Sequence, residues 1–322
     1  MTPRISVIIP VYNGADFIGE AIESVLAQEY PAHEILVIDD GSTDNTPTVL
    51  KGFGNKIIQK RIPNSGPSGA RNEALKLVTG DWIAFLDADD LWFKHKLKKQ
   101  VEAVIKYPEV GFVCCDYAVR YDFLKFRMVR HHSILKNTRE MNFDTPLVRD
   151  AFELLIKENF VGTPSAFIVK KSVADAVGFF SRLYPNSQDF DYQLRAALVT
   201  PFLILSEVLF YKRTHGGNIS ANKLKHYSGH KQILLDTWSA HRALIKERRL
   251  VPVLRRSIAA TDYHYGDSYF DAGQKARAFG IYVRALLEDP SPRNVITFGW
   301  ICFKKSLRAL TGGVVRRRRS SR

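Results

Sequence analysis

The chain has 322 residues, of which 45% are apolar and 25% charged. That is the composition of a globular fold with room for one or two domains, and it excludes a disordered or collagen-like chain. No stretch reaches the roughly 18 uninterrupted apolar residues of a membrane span, so the chain is not expected to cross a bilayer. The net charge of +14 is uneven: residues 1–100 hold 11 Lys+Arg against 13 Asp+Glu, residues 101–200 hold 13 against 12, and residues 201–322 hold 23 against 8.

The start, MTPRISVIIPVY, has one basic residue and no small-residue cleavage site, and it reads as a first strand rather than a leader. Further strand-length apolar runs follow at EILVIDD (34–40), KIIQKRI (56–62), WIAFLDA (82–88) and VGFVCCDY (110–117). Helical patterns lie between them: Ala15 to Gln28, a segment after the Ser42-Thr43-Asp44 cap signal, one from Ser68, and Lys94 to Tyr107. Strands rich in Ile and Val, each followed by a crossover helix, predict an α/β fold with a mostly parallel sheet buried on both faces. Beyond residue 121 the alternation loosens. KFRMVRHH reads as a strand or hairpin, PLVRDAFELLIKE as a helix, SAFIVKK and SVADAVG as a strand and helix, QDFDYQLRAALV as a helix, and FLILSEVLFYKR as a strand opening onto HGGNIS. Residues 225–310 read as wholly helical. Within them DYHYGDSYFDAGQKARAFGIYVRALLEDP looks like one degenerate tetratricopeptide-type hairpin, which needs a neighbour to cover its apolar face. Cys114, Cys115 and Cys302 have neither metal nor disulfide spacing and read as core thiols in a reducing cytoplasm.

In open parallel sheets ligands bind outside the carboxyl ends of the strands. Four such ends are polar here: Pro10 to Asn13, Asp39-Asp40-Gly41-Ser42, Asn64 to Arg71, and Asp87-Ala88-Asp89-Asp90. The last places three carboxylates in four positions. These repel one another unless a cation, hydrogen bonds or water absorb the charge. An all-oxygen pair such as Asp87 and Asp89 suits Mg²⁺ or Mn²⁺, which keep phosphate oxygens among their ligands; a solvated acidic loop is the plainer reading. Tyr12 can stack on a base, Asp39 and Asp40 can accept from a base or ribose, and Arg71 can pair with phosphate. Asp39 to Ser42 can equally be a turn and helix cap. Neither GxGxxG nor GxxxxGK[ST] occurs, which argues against a dinucleotide-binding domain and a P-loop.

ISVIIPVYNGADFIGEAIESVLAQEYPAHEILVIDDGSTDNT, followed by NSGPSGARNEALKLVTGDWIAFLDADDLW, closely resembles the family 2 glycosyltransferases, inverting enzymes with a GT-A fold. The match is dense over residues 4–116 and continues loosely to about 220. QDFDYQLRA resembles the family's acidic motif for the general base, and YKRTHGGNIS its Y-R-x-H-x-x-N-x-S segment. The resemblance implies a GT-A domain over 1–220, with a nucleotide-sugar half (1–120) and an acceptor half (121–220), followed by a helical region over 221–322. It implies that Pro10, Tyr12, Asp39, Asp40, Arg71, Asp87 and Ala88 bind the nucleotide sugar, a UDP-sugar first among donors. It further implies that Asp89, with Asp87 and His215, serves a Mn²⁺ or Mg²⁺ ion, and that Asp189 or Asp191 is the base. Gln188 stands where the family often has Glu, which leaves the choice of base open.

The implied reaction moves a sugar to a hydroxyl of a glycan or lipid-linked acceptor, in cell-surface polysaccharide synthesis. Transfer to a polyprenyl phosphate and a catalytically silent scaffold are the competing readings. VITFGWICFKKSLRALTGGVVRRRR (295–319) joins aromatic and aliphatic residues to a cationic block. An interfacial helix on an anionic membrane and a packed helix with a solvated tail both account for it. No nucleic-acid module accompanies the Arg run, so no specific nucleic acid is expected. The expected location is cytoplasmic, peripheral at the inner face of the membrane on the interfacial reading.

Overall fold

The computed structural model describes residues 2–121, 128–130, 147–184, 186–216 and 222–311. The chain divides into two units, residues 1–221 and 222–322.

The first unit is built on a ten-stranded mixed sheet. Strands β1 (Ile5–Val11), β2 (Glu34–Asp39), β3 (Ile58–Arg61) and β4 (Trp82–Phe85) lie side by side in the order β3-β2-β1-β4, all parallel. Helices α1 (Ile18–Leu26), α2 (Thr46–Lys51) and α3 (Gly66–Leu75) form the crossovers. All four residues of β4 are buried and β1 is buried along nearly its whole length, as expected of strands covered on both faces. The edge strand β3 is exposed throughout.

Beyond β4 the sheet becomes mixed. Strands β6 (Phe112–Tyr121) and β10 (Phe202–Thr214) pair in parallel, and β9 (Phe167–Lys170) runs antiparallel between β4 and β6. The short strands β5 (Leu91–Trp92), β7 (Met128–Arg130) and β8 (Leu147–Val148) attach antiparallel to β10, β6 and β10. Strand β7 forms the hairpin read in KFRMVRHH; the other residues of that segment lie outside the described ones, as do 217–220 of HGGNIS. Two register shifts interrupt the β10–β6 ladder, one between Leu205 and Val208 and one between Val208 and Tyr211. Such irregularities bend and twist a strand, and here they precede the residues by which β10 joins the cleft.

Helices α4 (Lys96–Lys106), α5 (Ala151–Lys157), α6 (Lys171–Val177) and α7 (Gln188–Ala197) complete the unit. Its core includes Phe85, Phe167, Phe180 and Tyr192. Phe180 and Tyr192 stack at 4.2 Å and Phe85 meets Phe180 edge-on at 5.3 Å, arrangements that the ring quadrupoles favour. Cys114 and Cys115 are buried free thiols, as expected of core cysteines, and burial pushes the Cys115 thiol up to about 12.

The second unit is helical: α8 (Lys223–Ala240), α9 (Arg242–Glu247), α10 (Val251–Asp271), α11 (Lys275–Glu288) and α12 (Pro292–Thr311). The predicted hairpin is α10 and α11, joined through Gly273 at φ 80°, a left-handed position that glycine adopts at little cost. Its seam is Ala259, Tyr263, Ala278, Tyr282 and Ala285, with Phe298 and Ile301 of α12 packed against it. Buried Asp262 anchors the unit by accepting from Lys231 Nζ (2.6 Å) and from Arg284 Nε (3.1 Å) and Nη2 (3.0 Å). A fully buried carboxylate is sustained only by such pairing. Among the described residues no helix is long and apolar enough to cross a membrane. The RRRRSSR end lies outside them.

Candidate active site

The carboxyl ends of β1, β2 and β4 open into one cleft of about 630 Å³. Its walls are latched together by short polar loops. Asn13 adopts a left-handed backbone (φ 49°), which asparagine tolerates better than most residues. Its amide donates to Ser42 Oγ at 2.9 Å, and its side-chain oxygen accepts from the Thr43 amide at 2.7 Å. The Gly14 amide donates to Thr46 Oγ1 at 3.0 Å. Asp40 Oδ1 accepts from both the amide (2.7 Å) and hydroxyl (3.0 Å) of Ser65, joining the β2 end to the β3–α3 loop. Gly41 between them has φ 81°, and a side chain there would sit 3.0 Å from the Asn64 amide nitrogen. Glycine is therefore required by both conformation and space.

Pro10, Tyr12, Asp40, Arg71, Asp87, Ala88, Asp89, Asp189 and His215 all line this cleft. Tyr12 is 51% exposed at the rim. Arg71, only 3% exposed, donates from Nη2 to Asp87 Oδ1 at 2.5 Å, and its guanidinium lies 5.6 Å from the Phe180 ring centroid. Its Nε and Nη1 have no hydrogen-bond partner. A buried guanidinium with two unused donors is costly unless an acceptor is supplied. Asp87 is further held by Thr163 Oγ1, which donates to Oδ2 at 3.0 Å, and by its own amide, which donates to Ser165 Oγ at 2.9 Å.

The carboxylate cluster is strained electrostatically. Burial and then the neighbouring Asp87 raise the Asp89 carboxyl above its ordinary range, while His215 pulls it back. His215 Nε2 lies 3.1 Å from Asp89 Oδ2, and its ring stacks on Phe17 at 4.6 Å. Asp90 is buried and raised further, by desolvation first and then by Asp89 and Asp87; its Oδ1 accepts the Arg213 amide at 3.2 Å, and its Oδ2 has no partner. Among the described residues no group of three or more His, Cys, Asp or Glu forms a metal cage. The donor set is one or two carboxylates beside a histidine, a number that suits Mg²⁺ or Mn²⁺ when a ligand's phosphates fill the other positions.

Two expected residues do not line the cleft. Asp39 is 3% exposed; its Oδ1 accepts from the Ser42 amide at 2.8 Å and its Oδ2 lies 3.5 Å from Arg61 Nη1. This is the turn-and-cap role that the sequence left open. Asp191 accepts from Arg195 Nε (3.0 Å) and Nη2 (2.6 Å), and Arg195 also bonds the carbonyls of Val177 and Phe179. One helical turn separates the partners, so the pair stabilises α7 and ties it to the end of α6. Asp189, at the start of the same helix, does line the cleft; its Oδ1 accepts the Phe190 amide at 2.9 Å. Burial raises its carboxyl, and Arg71 is the largest influence in the other direction.

Asn64, from the expected Asn64 to Arg71 end, lines the cleft, and so do Lys212, Gln188, Asn186 and Thr163, to none of which the sequence assigned a role in binding or catalysis. Lys212 carried no signal in the sequence: it follows two register shifts in β10 and lines the cleft, while the next residue, Arg213, is buried and paired with Glu20. Gln188 is 7% exposed with Oε1 unpartnered. The departure from Glu was visible in the sequence, but the placement of its side chain in the cleft wall was not.

The sequence profile of glycosyl transferase family 2 matches residues 6–171. The chain is 43% identical over 110 residues to the putative teichuronic acid biosynthesis glycosyltransferase TuaG of Bacillus subtilis, covering 32% of this chain and 43% of that one. It is 37% identical over 142 residues to the Escherichia coli UDP-Glc:alpha-D-GlcNAc-diphosphoundecaprenol beta-1,3-glucosyltransferase WfgD, covering 41% and 55%. The chain thus spans about half the length of these two relatives. In fold it is similar to S. aureus TarS in complex with UDP-GlcNAc (TM-score 0.60, 20% identity, 88% of this chain and 81% of that one). It is similar also to the Pyrobaculum calidifontis mannosyltransferase PcManGT in complex with GDP-Man and Mn²⁺ (TM-score 0.59, 18% identity, 96% and 81%). With its profile match over half the sequence and a GT-A fold, the chain belongs to glycosyl transferase family 2 and is a glycosyltransferase.

Proposed function

We propose that the cleft binds a nucleoside-diphosphate sugar, a UDP-sugar first among candidates, and transfers the sugar with inversion to a hydroxyl of a glycan or lipid-linked acceptor. The observation that carries this reading is Arg71: a buried guanidinium, anchored to Asp87 on one nitrogen and unpartnered on two others, in the cleft that also holds the carboxylates. Diphosphate oxygens supply the acceptors it lacks. Tyr12 and Asp40 lie at the strand ends where base and ribose would rest. Asp39 would act by fixing the loop that carries Asp40. Asp89, with Asp87, would hold Mn²⁺ or Mg²⁺, and His215 would orient Asp89. Such an ion would supply charge neutralisation at the diphosphate, and the mutual repulsion of Asp87, Asp89 and Asp90 fits a site built for a cation.

In the reaction Asp189 takes the proton from the acceptor hydroxyl. The acceptor oxygen forms a bond to the anomeric carbon as the bond from that carbon to the phosphate oxygen breaks, and the electron pair leaves with the nucleoside diphosphate. Arg71 and Lys212 are placed to stabilise that developing charge. Asp189, raised by burial, is a stronger base than a solvated carboxylate once ionised. Asp191, committed to Arg195, is left to hold the helix.

The relatives support a place in cell-surface polysaccharide synthesis, since TuaG is named for teichuronic acid biosynthesis and WfgD for a diphosphoundecaprenol-linked acceptor. An anionic membrane surface is then the natural location of the acceptor. The test is a donor screen that follows nucleotide release from UDP-, GDP- and dTDP-sugars, with and without Mn²⁺, using lipid-linked and free glycan acceptors. Metal-dependent release with one donor supports the reading. Nucleotide binding without release across the panel would mark a silent scaffold, and release only with a polyprenyl phosphate acceptor would reassign the acceptor.

A further inference from the structure

Helix α12 has two apolar faces. Phe298 and Ile301 pack onto the α10–α11 seam. Ile296, Trp300 and Phe303 are 73%, 55% and 57% exposed. Their spacing of four and three residues puts them on one stripe of the helix, and Leu307 and Leu310 continue that spacing in the sequence. Trp300 and Phe303 stack at 5.9 Å, and Phe279 of α11, itself 55% exposed, lies 6.2 Å from Phe298. Three large apolar side chains on one exposed helix face mark a binding surface rather than scattered surface residues.

The charge of the sequence that carries the stripe points to the partner. From residue 290 onward the sequence contains nine Lys and Arg (Arg293, Lys304, Lys305, Arg308, Arg316 to Arg319 and Arg322) and no Asp or Glu. A helix with an aromatic and aliphatic stripe in a sequence segment whose charged residues are all basic matches the interface of an anionic bilayer, where apolar side chains enter the headgroup boundary and basic ones meet lipid phosphates. A nucleic acid would answer the charge but not the stripe of Ile, Trp and Phe, and a second copy of this chain would bring the same positive charge against itself.

We propose that α12 is a membrane-docking helix that inserts Ile296, Trp300 and Phe303 into an anionic lipid surface. The proposal deepens the lipid-linked acceptor reading by placing the enzyme on the bilayer that carries such an acceptor. Its test measures no transfer, so either can fail without the other.

The full chain is sedimented with vesicles of phosphatidylglycerol mixed with phosphatidylcholine, and with phosphatidylcholine alone. The expected result is binding to the anionic vesicles that weakens as salt is raised, little binding to the neutral ones, and at least about a tenfold loss of affinity in the variant carrying Ile296→Ser, Trp300→Ser and Phe303→Ser. The substituted side chains are exposed, so the melting temperature of the variant stays that of the parent. Trp300→Phe serves as a second variant should the triple one fold poorly. It keeps the vesicle binding but loses the blue shift in tryptophan emission that the parent shows on binding. Absence of binding to anionic vesicles, equal binding to both vesicle types, or unchanged binding by the triple variant would overturn the proposal. So would preferential retention of RNA over vesicles, or a dimer of the parent that the substitutions dissociate.

Discussion

Asp189→Asn and Asp191→Asn separate the proposed base from its neighbour two residues along the same helix. Asparagine at 189 keeps an oxygen to accept the Phe190 amide, so the local hydrogen bond at 2.9 Å survives and the fold is expected to stand. It cannot take a proton. General-base catalysis contributes about 10²–10⁴ in rate, or roughly 3–5 kcal/mol of barrier, and kcat should fall by that factor with nucleotide binding intact. Asp191→Asn does the reverse. It exchanges the charge-assisted bonds to Arg195 at 2.6 and 3.0 Å for neutral ones, while Arg195 keeps the carbonyls of Val177 and Phe179. The pair is only partly exposed, at 30% and 17%, so the charge is not fully screened. The loss is about 1 kcal/mol of stability, or about 2–4 °C in melting temperature for a domain of this size, with kcat within about threefold of the parent. Steady-state kinetics and thermal melts on the two variants decide the matter. A full loss of rate in Asp191→Asn at unchanged melting temperature, or near-parental rate in Asp189→Asn, would refute the assignment.

Three further outcomes follow from the same geometry. Because burial raises the Asp189 carboxyl, the inactive protonated base persists to higher pH than an ordinary carboxylate of about 4; kcat/KM should decline as pH falls through a midpoint above that value, and the residual rate of Asp189→Asn should lack this limb. Arg71→Lys substitutes a point charge for a planar fork already fixed on Asp87, so nucleoside-diphosphate affinity measured calorimetrically with Mn²⁺ should drop by about tenfold or more; unchanged affinity would remove Arg71 from the donor site. Gly266→Ala sets a Cβ 2.4 Å from Tyr282 Cε1, and that ring cannot yield because it is buried and its hydroxyl donates to Asp267 at 2.7 Å. The overpacking should cost about 1–3 kcal/mol, seen as a lower melting temperature.

Much of the first unit was legible because period and punctuation agreed. Apolar runs of strand length alternating with helical patterns located β1, β2 and β4 to within a few residues, and part of the cleft's lining comes from the polar ends of those strands. The antiparallel insertion of β9 between β4 and β6 was not legible, since hydrophobic alternation gives a strand's faces and not its neighbours. The same limit hid Lys212, which reaches the cleft on a strand distant in sequence and bent by register shifts. Asp39 and Asp191 show the opposite difficulty. Their residue types suit ligand or proton chemistry, but the Ser42 amide and Arg195 engage them first, and only coordinates distinguish a carboxylate facing a cleft from one consumed by its own loop or helix. Gln188 was visible as a departure, and its unpartnered oxygen beside Asp189 became visible only in three dimensions.

The Asp87 and Asp89 end of β4, with Arg71, is proposed to bind a nucleoside diphosphate together with a divalent cation. Thermal melts of the pure protein with UDP, GDP and dTDP, each with and without Mn²⁺, test it most directly. At least one nucleotide is expected to raise the melting temperature in a Mn²⁺-dependent way, and Asp89→Asn to melt like the parent without ligand but lose the metal-dependent part of the rise. No rise with any of the three, or a full Mn²⁺-dependent rise in Asp89→Asn, would contradict it.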